Sequence, residues 1–220
     1  MPGYPFRFYA GALGVALCVQ AIWLFGAEAI RPALPYFPAD TREAKVLAAS
    51  RTAAAAAALI GWPRGELLTE RALTANAPVI AAFESNTVPP LDGDAAAADE
   101  SAARWSPSDA RGWLLLAASN ASPPGDHQRA LRALKMSYYT SPYNEELFPL
   151  RILLAARSTG TIDDELRDCI TLELDLILRK RPDLKDYVLR MLTTASPAVR
   201  QLLEGSLKKS GSSSQPSPPR

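Results

Sequence analysis

The stretch from Trp105 to Pro142 constrains the fold more than any other: W-S-P-S-D-A-R-G-W-L-L-L-A-A-S-N-A-S-P-P-G-D-H-Q-R-A-L-R-A-L-K-M-S-Y-Y-T-S-P. It carries two helical patterns separated by a Pro/Gly break. Ser108 or Asp109 can cap the first, which sets Trp113, Leu116 and Ala117 on one face at i, i+3 and i+4. Ser122-Pro-Pro-Gly-Asp126 offers no run of helix-compatible residues and is a turn. The second helix sets Ala130, Leu134 and Ser137 on one face and stops before Pro142, since a proline drives the residue ahead of it out of the α region. Two helices joined by so short a break must fold back on each other.

The unit recurs. Counting back 12, 8 and 5 positions from Pro142 gives Ala130, Leu134 and Ser137, and from Pro182 gives Ile170, Leu174 and Ile177. From Pro107 the same offsets give Ala95, Asp99 and Ala102, with Asp99 the one polar departure. Six residues after the prolines stand Trp113, Phe148 and Val188. Spacings of 35 and 40 residues between the prolines fall in the range of helical-hairpin repeats.

This pattern resembles the tetratricopeptide family, which places an aromatic early in the first helix, small residues at the helix crossing and a closing proline. Trp113 stands at the aromatic position, Ala117 and Ala130 at the small positions, and Ser137 and Pro142 complete the copy. The second copy departs from it, with Ile170 where Ala is expected and a longer span from Phe148. The resemblance covers about Ala95 to Leu203. It implies an all-α fold of antiparallel hairpins stacked as a short TPR-like α-solenoid, its core drawn from Trp113, Leu116, Ala117, Ala130, Leu134, Ser137, Pro142, Phe148, Ile170, Leu174, Ile177 and Pro182. It also implies a concave groove lined by Arg111, Leu114, Ala118, Glu146 and Leu153, and Arg151 is a further candidate for that groove.

Phe8 to Ala27 is twenty residues without a charge. A helix of that length spans about 30 Å, the thickness of a hydrocarbon core. Tyr9, Trp23 and Phe25 lie toward its ends, where aromatic rings favour the interface. Ala27-Glu28-Ala29 ahead of Pro32 also matches a signal-peptidase site, so residues 1–30 are an uncleaved transmembrane anchor or a cleaved signal peptide. The apolar run is long for a signal, which favours the anchor. Leu17 stands where a lipoprotein box needs a small residue, so Cys18 reads as a small apolar residue in the membrane helix. Arg7 on one side and Arg31, Arg42 and Lys45 on the other leave orientation undivided by basic residues. The A-x-A pattern after a single apolar run points the domain out of the cytoplasm.

Prolines in 31–38 exclude a helix and suggest a stiff spacer. Residues 39–83 read as an N-terminal helical hairpin, with a helix from Asp40 or Thr41 to Ile60, a turn at Gly61–Gly65 and a second helix from Glu66 to Asn76. An acidic loop follows at 84–94, the repeats at 95–207, and a Ser/Pro-rich disordered tail at 208–220. Within the repeats, Glu145 to Ala156 forms a helix if Pro149 lies in its first turn, and Thr161–Glu165 caps the next.

No reaction is legible. His127, the only histidine, lies in a turn with no local nucleophile, and G-x-S-x-G, H-E-x-x-H, G-x-x-x-x-G-K and paired Cys/His spacings are all missing from the sequence. Glu145 and Glu146, adjacent on a helix, point about 100° apart and cannot converge. We therefore expect no catalytic residue, metal or cofactor. Net charge +1 argues against nucleic acid. Arg104, Arg111, Arg129, Arg132, Lys135, Arg151 and Arg157 outnumber the acids of Ser101 to Arg157, with Tyr138, Tyr139 and Tyr143 close by, so an acidic peptide or anionic glycan is the ligand such a face would take. The expectation is an adaptor anchored in the bacterial inner membrane, single-pass with its soluble domain in the periplasm. It would bind protein partners of the cell envelope and serve polysaccharide or envelope assembly. The alternative is a periplasmic small-ligand or glycan carrier released by signal peptidase.

Overall fold

A computed structural model describes residues 4–38, 41–84, 93–121 and 125–212. Among them no strand occurs. The elements are α1 (Tyr4–Ile30), α2 (Thr41–Ala49), α3 (Arg51–Ile60), α4 (Gly65–Ala75), α5 (Ala77–Glu84), α6 (Gly93–Trp105), α7 (Ala110–Ala121), α8 (His127–Thr140), α9 (Phe148–Arg157), α10 (Asp164–Lys180), α11 (Lys185–Thr194) and α12 (Pro197–Ser212). A single 3₁₀ turn, Pro182–Leu184, precedes α11.

The helix starts follow their capping chemistry. Asp109 accepts from the Arg111 amide at 3.0 Å, and Asp126 from the amides of Gln128 and Arg129 at 2.9 and 3.1 Å. Asp163 accepts from Leu166 N at 2.8 Å, with Asp164 and Glu165 in the first turn of α10 and Arg179 and Lys180 in its last. Each carboxylate satisfies an orphan amide where the helix dipole also favours negative charge. The expected cap at Asp40 and the centre of the turn at 122–124 lie outside the described residues, as do the acidic loop over 85–92 and the tail beyond 212.

Three boundaries and the packing of one segment differ from expectation. The helix expected from Thr41 to Ile60 breaks at Ser50, whose amide reaches both Val46 O (3.1 Å) and Leu47 O (3.0 Å). The break lets α2 pack on α5 while α3 packs on α1 and α4. The helix expected from Glu145 begins at Phe148, with Pro149 in its first turn. Ahead of it Tyr143 takes a left-handed φ of 62°, and Asn144 Oδ1 accepts from Glu146 N at 3.1 Å, so 141–147 is a chain of turns. α12 runs on to Ser212, into the segment expected to be a disordered tail. The supposed spacer 31–38 is extended but packed: Phe37 is 6% exposed and Leu34 lies against the core.

The nine residues at the repeat offsets, Ala95, Asp99, Ala102, Ala130, Leu134, Ser137, Ile170, Leu174 and Ile177, are all buried. Pro107, Pro142 and Pro182 each follow the end of a helix: α6, α8 and α10. Leu116, Ala117 and Phe148 are buried, but Trp113 is only partly so, its indole N–H donating to Pro107 O at 2.8 Å. Pro142 and Pro182 are exposed. α7 packs along α8; α9 lies against both α7 and α11, and α10 against α8 and α12. One apolar core runs from Phe37 to Leu203, and a smaller cluster joins Ala27 to Ala57, Ala58, Leu67 and Leu68.

Candidate functional site

Between the 31–38 segment and the α9–α11 face lies a cleft of about 1240 Å³. Pro35, Tyr36 and Phe37 form one wall; Leu150 and Leu153 of α9 with Tyr187 and Met191 of α11 form the other, and Glu145, Glu146 and Arg190 stand at the rim. The first wall is held from behind. Arg111 is half-buried, paired with Asp109 at 2.7 Å, and its guanidinium lies 4.5 Å from the Tyr36 ring while Nη1 donates to Tyr36 O at 3.3 Å. The second wall is held by Tyr187, whose hydroxyl donates to Pro149 O at 2.7 Å. Arg181 pairs with Asp183 (2.7 Å) and sits 3.7 Å from Glu145.

Two rim charges have no opposite partner among the described residues. Glu146 makes no ion pair, and Arg190 only approaches the Tyr187 ring, at 5.8 Å. A groove with apolar walls and both a carboxylate and a guanidinium at its rim suits an extended segment carrying both apolar and charged side chains. Its volume exceeds what one small ligand fills.

Of the residues expected to line a groove, Glu146 and Leu153 border this cleft. The others do not. Leu114 and Ala118 are buried in the core, and Arg111 clamps the linker. Arg151 is 0% exposed, with Nη1 on Glu173 Oε1 at 2.9 Å, Nε on Ser137 Oγ at 3.1 Å, Nη2 on Ser141 O at 2.9 Å, and the guanidinium 4.6 Å from the Tyr138 ring. Burial raises the pKa of Glu173, opposed by the charge of Arg151.

The basic face dissolves for a related reason. Arg129 pairs with Glu100 at 2.9 Å, Lys135 with Asp163 at 2.8 Å and with Glu165, while burial lowers the pKa of the partly buried Arg157. Glu100, Asp163 and Glu165 lie outside Ser101 to Arg157, so a local charge count overstated the surplus. Tyr36, Phe37, Tyr187, Arg190 and Met191 were missed. A Tyr-Phe pair is poorly suited to a solvated spacer, and that was the available signal.

Asp99 carries a strongly perturbed carboxyl, pushed up to about 8 by burial. Asn76 donates to it at 2.6 Å and Ser119 bonds its other oxygen. A shifted carboxyl can mark an active site, but Asp99 is 0% exposed and borders neither cavity, so it ties α4–α5, α6 and α7 together. His127 and Arg157 line a depression of about 10 Å³, room for about one water. Among the described residues no group of three or more His, Cys, Asp or Glu is placed to hold a metal. Comparison with protein-family models, with curated proteins and with solved structures returned no match to this chain.

Proposed function

We propose that this protein is a membrane-anchored helical-repeat adaptor of the bacterial cell envelope, which holds an extended segment of a protein partner in the cleft between its linker and the α9–α11 face. The cleft carries the reading: it is large, walled by apolar side chains, and rimmed by Glu146 and Arg190, which have no ion-pair partner among the described residues. The tetratricopeptide-like arrangement is supported by burial at all nine offset positions and by two rows of contact, α7–α9–α11 and α8–α10–α12. Successive first helices and successive second helices stack in this way in helical-hairpin solenoids.

Retention of the anchor is supported by the candidate cleavage site. Cutting after Ala29 would remove Ala27, which is 0% exposed, and would separate Glu28 from Arg64, 3.0 Å away. α1 is long and apolar enough to cross a membrane. Outward placement of the domain rests on the export-like N-terminus.

A photo-crosslinking side chain at Thr194, on the cleft wall, tests the assignment in cells. A discrete envelope-protein adduct is expected there, absent when the probe is at exposed Leu172 on α10, and lost in the Glu146→Lys, Arg190→Glu double variant. Exposed charge reversals shift stability by no more than about 0.5 kcal/mol, whereas like charges across an interface cost several. An adduct that survives both reversals, or none at Thr194, removes the cleft as the docking site.

A further inference from the structure

We propose that the tip of the α3–α4 hairpin, together with the end of α6, sits in the headgroup layer of the bilayer crossed by α1, so that the domain lies down on the membrane. The proposal rests on reading α1 as a membrane span.

The last turns of α1 pack against the C-terminal end of α3. Trp23 donates its indole N–H to Ile60 O, and one turn later Ala27 is buried against Ala57 and Ala58. The fit is close: a Cβ at Gly61 would come 3.1 Å from that of Ala27. Ile60 and Gly61 thus lie between the levels of Trp23 and Ala27, roughly 5 to 10 Å back from the exit end of α1 at Ile30. If the uncharged run Phe8 to Ala27 fills the hydrocarbon, Ile60 and the turn after it reach the depth of its last turn.

The side chains exposed at that level are apolar. Leu59 is 80% exposed, Trp62 55%, Trp105 41% and Ile60 38%. Trp62 and Trp105 meet edge to face at 5.3 Å, and a Cβ at Gly65 would lie 3.0 Å from the Trp105 carbonyl carbon, so α6 ends against the hairpin tip. From Thr52 to Pro63 the chain has no charge. Charge begins where the headgroups would, with Arg64 and Arg31 both bonded to Glu28, and Arg104 5.8 Å from the Trp105 ring.

Two points select lipid over a protein occupant. The patch is continuous with the lipid-facing surface of α1, where Leu24 and Phe25 are 38% and 75% exposed. The domain is also held down, because Arg31 bonds Glu70 at 3.0 Å and Phe37 is packed, leaving no slack to lift the tip away. Tryptophan beside arginine is the side-chain chemistry of the membrane–water boundary.

Full-length protein with Cys18 and Cys169 replaced by Ala, in phosphatidylcholine/phosphatidylglycerol vesicles, tests this with a bimane probe at Leu59→Cys, Leu13→Cys or Leu172→Cys. Lipids carry nitroxides either near the headgroup or deep in the chain. Leu59 is largely exposed, so its replacement should not disturb folding. The expected result is strong shallow-nitroxide quenching at position 59, strong deep quenching at 13, and several-fold less of either at 172. Quenching at 13 with position 59 behaving like 172 overturns the proposal and leaves the anchor standing. A blue-shifted but unquenched probe at 59 overturns it too, in favour of a protein or a second copy covering the patch. No quenching at 13 sinks the anchor reading and this proposal with it.

Discussion

Arg151 and Asp99 are polar groups placed where repeat packing would put apolar ones, and each is tolerated for a different reason. Arg151 donates into a shell of Ser137, Ser141 and Glu173. Replacing it alone strands the Glu173 carboxylate, so Arg151→Met should cost about 3 to 5 kcal/mol in urea unfolding. Arg151→Met with Glu173→Leu should recover most of that, since an apolar pair of similar volume replaces both charges; equal loss in the single and double variants would refute the ion-pair account. Asp99 is tolerated by staying protonated. Its folded pKa is about 8, against an ordinary 3.8. Between those values the folded state holds one proton more than the unfolded chain, so its contribution is complete below the lower value and is lost as pH rises through the upper one. Stability should therefore fall from about pH 4 to about pH 8 and level off above it, and Asp99→Asn should flatten that slope. Parallel pH profiles for the two proteins would show that Asp99 is not responsible.

At the scale of elements, legibility followed locality. The caps at Asp109, Asp126 and Asp163 bond amides two or three residues away, and were readable in one dimension. The break at Ser50 was not, because good helix formers flank it and the cause is the different partners of α2 and α3. Nor was the packing of 31–38, since prolines forbid a helix without saying whether the extended chain is free. That last point is testable: Phe37→Ala should cost about 3 to 5 kcal/mol, as for other buried aromatics. Near-wild-type melting would mean the linker is detached and the cleft lacks a wall.

For the whole molecule, an all-helical chain with one N-terminal membrane-competent helix was legible, because 3.6-residue periodicity and an uncharged twenty-residue run need no partner to be recognised. The cleft was not. Its walls are more than a hundred residues apart in sequence, and the cation expected in a groove, Arg151, is buried by acids and hydroxyls the local pattern did not connect to it. The small cluster around Ala27 bears on where the molecule is finished. Leu67 and Leu68 are covered in part by the end of α1, the helix that the anchor reading proposed above places in lipid. On that reading this face of the hairpin closes against a helix held in the bilayer, so the packing of α3 and α4 is completed at the membrane face.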